Sequence, residues 1–354
     1  MRILVATDAW HPQVNGVVRT LSMVAETSKS LGVEISFLTP NSFRSFPMPS
    51  YRELSVAMPS PHKIARLIGD ARPDSIHIAT EGPIGFLVRR YCRKQGLPFT
   101  TSFHTRFAEY ISARLPIPES WIWPILRAFH RPSQAVMAAT PGLAAELRTR
   151  GFGNVVLWPR GVDTALFRPR NVDLGLPRPV FLSVGRIALE KNLEAFLDLD
   201  LPGSKVIIGD GPARASLARK YPQAIFLGAR QGEALAEAYA AADVFVFPSK
   251  TDTFGLVLLE ALASGLPVAA FPVPGPRDVI GEAPVGILND DLRLACLAAL
   301  RISPQACLEF AANHTWEASS RAFIENVRNF CGANPHREPL QLTSEGRAGW
   351  LEAG

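Results

Sequence analysis

The sequence is short of cysteine, of charge and of long apolar runs. Its 354 residues hold four cysteines, Cys92, Cys296, Cys307 and Cys331, with no C-x-x-C pair among them. That pattern argues against a zinc site and against a disulfide framework, and it suits a reducing compartment. No stretch approaches the roughly 20 apolar residues of a membrane-spanning helix. The first residues, MRILVATDAWHPQ, carry one basic residue, a short apolar run and then Asp8. They lack the apolar core of a signal peptide and read as a first strand, so a cytoplasmic location is expected. The loop after that strand, WHPQVNGVVRT (10–20), lacks the G-x-G-x-x-G pattern, which disfavours a dinucleotide cofactor. No basic cluster is interleaved with aromatics and no nucleic-acid recognition motif occurs, so nucleic acid is not an expected partner.

Hydrophobic residues, at 47%, are plentiful enough for buried cores, and charged residues make up only 19%. The length suits two domains. The 30 prolines and 26 glycines are spread without a period, which excludes collagen-like and low-complexity chains. Short apolar segments such as RILVA (2–6), VEISFL (33–38), DSIHIA (74–79), PFTTSF (98–103), AVMAA (135–139) and NVVLW (154–158) alternate with helical stretches. A Pro/Ser-rich loop is expected over 40–61 and a Trp-rich helix over 119–130. Residues 159–179 lose periodicity and read as a linker. A second series then begins with VFLSVG (180–185), helix 190–199 and KVIIG (205–209), and runs through VFVFP (244–248) and VAAF (268–271) to helices 291–301, 304–312 and 315–330. Near-continuous apolar strands separated by helices predict an α/β fold of two doubly wound, Rossmann-like domains facing a cleft. The expected division is 1–165, 166–312, a C-terminal helix 313–330 returning toward the first domain, and a polar tail 331–354. In such sheets ligands bind beyond the carboxyl ends of the strands.

The strongest motif is KTDTFGLVLLEALASGLPVAA (250–270). Gly255 would let a ligand approach the backbone, and the amides of Gly255 and Leu256 are helix-start donors suited to a diphosphate. Glu260 would repel phosphate but could accept hydrogen bonds from a ribose diol. Asp252 could hold sugar hydroxyls. The same residues also fit a plain capped helix, with Asp252 or Thr253 as N-cap and Glu260 on the solvent face. In SVGRIALEKN (183–192), Gly185, Arg186 and Lys191 place two cations beyond a buried strand, as a diphosphate would need. The alternative is an ordinary surface pair beside Glu190. Gly209, Asp210 and Gly211 form a turn that could contact a nucleoside or be only a turn. Gly16 opens the first helix, and His104 follows the strand 98–103, where it could be structural or functional.

Taken together these residues resemble the retaining glycosyltransferases of family four, which have the GT-B fold. The likeness spans about residues 2–330. It is carried by HPQVNGVVRT, EGPIG (81–85), SFHTRF (102–107), PRGVDTALFRP (159–169), GRIALEKN, GDGP and TDTFGLVLLEALASGLPV. The family's E-x7-E motif appears as Asp252-x7-Glu260, its first acid one methylene shorter. The branch it looks most like holds bacterial mannosyltransferases and the sulfolipid and glucuronosyl- or glucosyl-diacylglycerol synthases. The resemblance implies a metal-independent hexosyltransferase with no cofactor and a nucleotide-sugar donor. Arg186 and Lys191 would stabilise the leaving diphosphate, and Glu260 would bind the ribose. Asp252, Thr253, Phe254, Gly255 and Leu256 would hold donor sugar and phosphates. Gly16 would give room near the diphosphate, and His104 would contact the donor sugar. Configuration would be retained by front-face attack.

The acceptor is written more faintly. Residues 1–165 carry 19 Lys and Arg against 11 Asp and Glu, a net +8, while the remainder nets −3. Arg89, Arg90, Arg93 and Lys94 cluster near the run Trp121, Ile122, Trp123, Ile125 and Leu126. Cations beside tryptophan suit an interfacial surface, although Trp121 and Trp123 could equally be core residues. The expectation is UDP-glucose or UDP-glucuronate as donor, diacylglycerol as acceptor, and peripheral attachment to the inner face of an anionic membrane. A GDP-mannose-dependent α-mannosyltransferase is the second reading. A non-catalytic sugar-nucleotide binding protein is the third.

Overall fold

The computed structural model describes residues 1–331 apart from 14, 49–50, 113–116 and 253. The N-terminal sheet is wholly parallel. Its strands are β1 (Arg2–Ala6), β2 (Glu34–Leu38), β5 (Ser75–Ile78), β6 (Phe99–Phe103), β7 (Val136–Ala138) and β8 (Val155–Leu157), in the order β2-β1-β5-β6-β7-β8. Between β2 and β5 lies an antiparallel hairpin, β3 (Ser45–Met48) with β4 (Tyr51–Ala57). The expected loop over 40–61 is therefore corrected. Proline at position 47 and the serines mask a two-stranded ribbon that stands apart from the main sheet, where a missing backbone donor is tolerated.

The second sheet is also parallel. It comprises β9 (Val180–Val184), β10 (Ser204–Ile208), β11 (Ile225–Phe226), β12 (Val244–Phe247), β13 (Val268–Ala270) and β14 (Gly286–Leu288), in the order β11-β10-β9-β12-β13-β14. Both sheets are doubly wound. The strand order reverses between β1 and β5 in one and between β9 and β12 in the other, which are the crevices where such sheets bind ligands.

Period-two alternation explains why the strands read as continuous apolar runs. Ile3 and Val5 enter one core with Leu21, Val24 and Trp158, while Leu4 and Ala6 enter another with Ile64, Ile78, Ile84 and Val88. In the second sheet Phe181, Ile207 and Val246 face one core; Val180, Leu182, Val206 and Phe245 face the other. Both faces of each sheet are thus buried.

The first part of the expected linker, 159–167, is a packed crossing, whereas 168–179 form no helix or strand and are largely exposed. Val162 and Phe167 are buried in the C-terminal core, and Val162 bridges Thr315 through a backbone pair. Gly161 lies so close to the backbone of Thr315 and Trp316 that a Cβ there would collide with it. The last helix, Trp316–Cys331, then packs on the helix Gly16–Ser30 and on β5 and β6. Its Trp316, Phe323, Ile324 and Val327 complete the first domain's core. Ser75 Oγ donates to the Cys331 carbonyl at 3.1 Å, so Cys331 ends this helix rather than opening the expected tail. The rest of that tail, 332–354, lies outside the described residues. Among the described residues no single helix is long and apolar enough to cross a membrane.

His77, in the middle of the first sheet, is wholly buried. Its Nδ1 pairs with Thr100 Oγ1 at 2.8 Å and its Nε2 with Ser102 Oγ at 2.9 Å. Burial, and secondarily Arg160, push its pKa down to about 3. An unfolded histidine takes its proton near pH 6.5, so between that value and the folded one the unfolded state binds the extra proton. Stability is therefore complete above pH 6.5 and falls on acidification, by up to about 1.4 kcal/mol per pH unit for this one group. In urea melts between pH 6 and 4, His77→Gln should show a shallower loss of stability with falling pH than the wild type.

Candidate active site

The motif after β12 builds one wall. The chain leaves the strand at Pro248, and Gly255 takes φ 85°, a left-handed conformation costly for other residues. The helix Leu256–Ala263 follows, with no side chain capping its start. Thr253, expected as a donor contact or N-cap, lies outside the described residues. Asp252 is not the cap: its Oδ1 accepts from Lys191 Nζ at 2.6 Å. About a quarter of each of these two side chains remains exposed.

Lys191 reaches Asp252 by a route different from the expected one. Helix 190–199 does not form. A 3-10 turn, Leu189–Lys191, ends at Asn192, which adopts φ 52° and donates from Nδ2 to the Pro248 carbonyl at 3.1 Å. The helix resumes only as Glu194–Leu197. Asn192 is the cause, because its amide bonds the β12 loop instead of continuing the helix. Arg186, half-buried, follows Gly185 past the end of β9. The turn Gly209-Asp210-Gly211 packs directly on this segment. A Cβ on Gly209 would strike the Gly185 carbonyl, and one on Gly211 the Ile187 carbonyl. These two glycines are required by backbone-on-backbone packing. Asp210 is exposed, accepting from its neighbour's amide, Gly211 N, at 2.8 Å.

Glu260 is not on the solvent face. It is 3% exposed, with Oε2 accepting from Tyr239 Oη at 3.0 Å and Oε1 2.5 Å from Arg19 Nη1 of the N-terminal domain. Burial raises its carboxyl pKa, while Arg19 and the Tyr239 hydroxyl oppose the rise. Arg19 also lies over the Phe167 ring, 5.3 Å from its centroid. Sequence reasoning passed over Arg19. The available signal was a cation one turn into a helix that starts at a candidate phosphate glycine.

Gly16 begins the helix Gly16–Ser30, capped by Asn15 Oδ1, which accepts from the amides of Val17 and Val18 at 3.0 Å. A Cβ at Gly16 would stand 3.7 Å from Leu256 Cδ1. The starts of two helices, one from each domain, are thus adjacent. A helix start carries the positive end of a dipole, a feature suited to an anion.

On the N-terminal side His104 is held by Arg160. The guanidinium Nη2 lies 3.2 Å from His104 Nδ1, and Arg160 Nη1 donates to the Trp158 carbonyl at 2.6 Å. Asp8, past the end of β1, also went unremarked as a site residue. Its carboxylate accepts from the amides of Ile84 and Gly85 at 2.9 and 3.2 Å and from Thr80 Oγ1 at 3.1 Å. It thereby caps the helix Pro83–Lys94. Among the described residues no group of three or more His, Cys, Asp or Glu could hold a metal ion.

The basic cluster and the tryptophan run are each divided. Arg89 points inward, donating from Nε to the Phe129 carbonyl and from Nη2 to the Ala128 carbonyl, both at 2.7 Å. It caps the C-terminus of the helix Glu119–His130, whereas Arg90, Arg93 and Lys94 are exposed. Within that helix Ile122, Trp123 and Leu126 are core residues, and Trp123 stacks on Phe103 at 5.9 Å. Trp121 and Ile125 face outward, 70% and 59% exposed.

Residues 14–166 match the family described as Glycosyltransferase Family 4, and residues 178–301 match Glycosyl transferases group 1. The GDP-mannose-dependent alpha-mannosyltransferase of Mycobacterium tuberculosis is 31% identical over 81% of this chain and 83% of its own length. The sulfoquinovosyl transferase SQD2 of Arabidopsis thaliana is 34% identical over 68% of this chain and 50% of that protein. The alpha-monoglucosyldiacylglycerol synthase of Streptococcus pneumoniae is 26% identical over 93% and 85%. Among solved structures, sucrose-phosphate synthase from Thermosynechococcus elongatus superposes with a TM-score of 0.77 at 20% identity, covering 93% of this chain and 98% of that one. Anabaena HepE in complex with UDP gives 0.68 at 14%, covering 93% and 100%. These two likenesses speak to the fold, the GT-B arrangement.

The Arg19–Glu260 pair has a measurable weight. Arg19→Met would leave a buried carboxylate held by Tyr239 alone. Because Arg19 is about one-third exposed, the cost should be about 1–3 kcal/mol, less than for a wholly buried pair. Adding Glu260→Gln should restore part of it. Equal urea midpoints for wild type and Arg19→Met would show that the pair carries no net stability.

Proposed function

This chain belongs to the family 4 glycosyltransferases, and from that membership we propose that it moves a hexose, with retention of configuration, from a nucleotide-diphosphate sugar to the hydroxyl of diacylglycerol at a membrane surface. The donor half of this reading rests on the helix starts at Gly16 and Leu256, with Arg186 past the end of β9 and Lys191 beside Asp252. A leaving diphosphate between them would meet two helix dipoles and two cations without needing a metal. Asp252 would share Lys191 with it and meet the sugar hydroxyls. Glu260 would offer its carboxylate to the ribose. His104 would contact the sugar from the opposite domain, and the departing phosphate would take the acceptor's proton. UDP-glucose and UDP-glucuronate are the donors we favour. The second reading, GDP-mannose, is favoured by the 31% identity to the mycobacterial mannosyltransferase.

The single observation behind the lipid acceptor is the outward face of the helix Glu119–His130. Trp121, Pro124, Ile125 and Ala128 are all exposed and recur at helical spacing along one stripe. Beside it, Phe86 is 42% exposed and meets Phe129 edge to face at 4.8 Å. Arg90 and Arg93 continue the Phe86 face of the neighbouring helix. An apolar stripe edged by cations suits the headgroup layer of an anionic membrane on its cytoplasmic side. The diacylglycerol named in the pneumococcal relative agrees with this chemistry.

Two experiments test the proposal. Diacylglycerol vesicles, incubated with EDTA and in turn with UDP-glucose, UDP-glucuronate and GDP-mannose, should yield an α-linked glycolipid from one donor. Arg186→Ala and Lys191→Ala should each slow it by roughly 30- to 1000-fold, the worth of about 2–4 kcal/mol of transition-state stabilisation. Near-normal rates in both variants would remove them from the site.

In vesicle sedimentation, the wild type should bind anionic vesicles. Charge reversal of Arg90, Arg93 and Lys94 to Glu should abolish the salt-sensitive part, with about 1 kcal/mol lost per residue. Trp121→Ala with Ile125→Ala should abolish the part that survives high salt. Arg89 is left intact because it caps a helix. Indifference of the wild type to anionic vesicles at low salt would sink the membrane reading.

A further inference from the structure

We infer that Arg160 is the positioning residue for His104: its guanidinium holds the imidazole neutral, with the proton on Nε2, so that His104 can donate a hydrogen bond but cannot take a proton. The inference rests on the proposed sugar contact of His104 only for its kinetic consequence.

A guanidinium has five N–H groups and no lone pair. Across the 3.2 Å between Arg160 Nη2 and His104 Nδ1 the imidazole must therefore be the acceptor. A ring accepting at Nδ1 carries its proton at Nε2. An imidazolium would turn an N–H toward an N–H and set two positive charges side by side.

Arg160 cannot readily turn away. It is 4% exposed, its other arm is bonded to the Trp158 carbonyl, and its guanidinium lies 4.3 Å over the Trp158 ring. Its backbone belongs to the interdomain crossing, where the neighbouring Pro159 carbonyl accepts from Ser319 Oγ at 2.7 Å and Gly161 meets Trp316. Among the described residues neither the Trp158 carbonyl nor its indole face carries a counter-charge, so the charge of Arg160 bears on His104.

Arg160 and, from β5, His77 are titratable groups that bear on His104. Trp158 packs edge-on to both imidazoles, at 5.5 Å from His104 and 5.9 Å from His77, and Phe323 of the last helix closes the stack. His77 is itself neutral at physiological pH, held down to about 3. Burial first, then Arg160, then His77, set His104 well below the ordinary histidine value. Arg160 is lowered only to about 9 and keeps its charge at neutral pH. With one ring nitrogen accepting and the other protonated, His104 has no lone pair for an acceptor hydroxyl. Deprotonation of the acceptor then falls to another group, such as the departing phosphate.

The test uses the full chain with 15N-labelled histidine. Long-range 1H–15N spectra report each ring's tautomer, and His104 is identified by the signal missing in His104→Asn. The expected result is an Nε2–H ring that does not titrate between about pH 5 and pH 8. An Nδ1–H tautomer, or a midpoint inside that range, would overturn the inference. In Arg160→Met the His104 midpoint should rise; in Arg160→Lys, which keeps one donor, it should rise less.

Kinetics add a second readout. Arg160→Met should lower kcat/KM for the nucleotide sugar about tenfold when His104 is present. In the His104→Asn background it should lower it by less than about twofold. Equal losses in both backgrounds would make Arg160 a merely structural residue and overturn its positioning role. Should Arg160→Met fail to fold, the wild-type spectra and Arg160→Lys decide. An Nε2–H ring together with full activity in His104→Asn would sink the sugar contact and leave the tautomer control standing.

Discussion

A parallel sheet buried on both faces leaves little room for charge within its strands, so most of it falls at or beyond the strand ends. That condition holds twice in this chain, with Ile3 and Val5 on one face and Leu4 and Ala6 on the other, and with Phe181 and Leu182 divided likewise. Among the described residues the one imidazole inside a sheet, His77, is kept neutral and bonded to two hydroxyls. Asp8, His104 and Arg160 follow strands of the first sheet, and Arg186 and Asp252 follow strands of the second. Polar groups gathered beyond the strand ends avoid the cost of burial inside the sheets.

Within that cleft each acid of the D-x7-E motif has a cation. Asp252 is met within its own domain by Lys191, and Glu260 is met across the cleft by Arg19. The seven-residue spacing places one acid before the helix and the other inside it, so they look toward different neighbours. Prior pairing keeps Glu260 in the buried position that its desolvation would otherwise resist. On the proposed reading, an incoming diphosphate would meet the helix starts, Arg186 and Lys191 together.

The repeating strand–helix pattern, both sheets and the principal motifs were legible in the sequence, because periodicity and glycine punctuation are local signals. The failures were also physical. Asn192 broke an expected helix through a side-chain bond to Pro248, a partner 56 residues away. Gly209 and Gly211 read as a turn, but their necessity comes from a neighbouring loop. The helix Glu119–His130 sends Trp121 outward and Trp123 inward, and a run with no polar residue in it could not say which. Arg89 resembled a surface cation until the carbonyls of Ala128 and Phe129 were placed beside it. Arg19 and Arg160 lie inside the quoted stretches HPQVNGVVRT and PRGVDTALFRP, but their partners, Glu260 and His104, are distant in the chain.

The last helix has a consequence for the order of synthesis. Trp316, Phe323, Ile324 and Val327 lie in the same core as Ile3, Val5 and Trp158. On a ribosome the first domain's strands therefore emerge with one face uncovered, and stay so until the chain has been made through Cys331. The roughly 160 intervening residues represent about 10–30 s of translation at 5–20 residues per second. The second domain, contiguous in sequence, can close before the first one does. The nascent first domain thus passes through an interval of exposed apolar surface, during which its solubility depends on chaperones or on the speed of elongation.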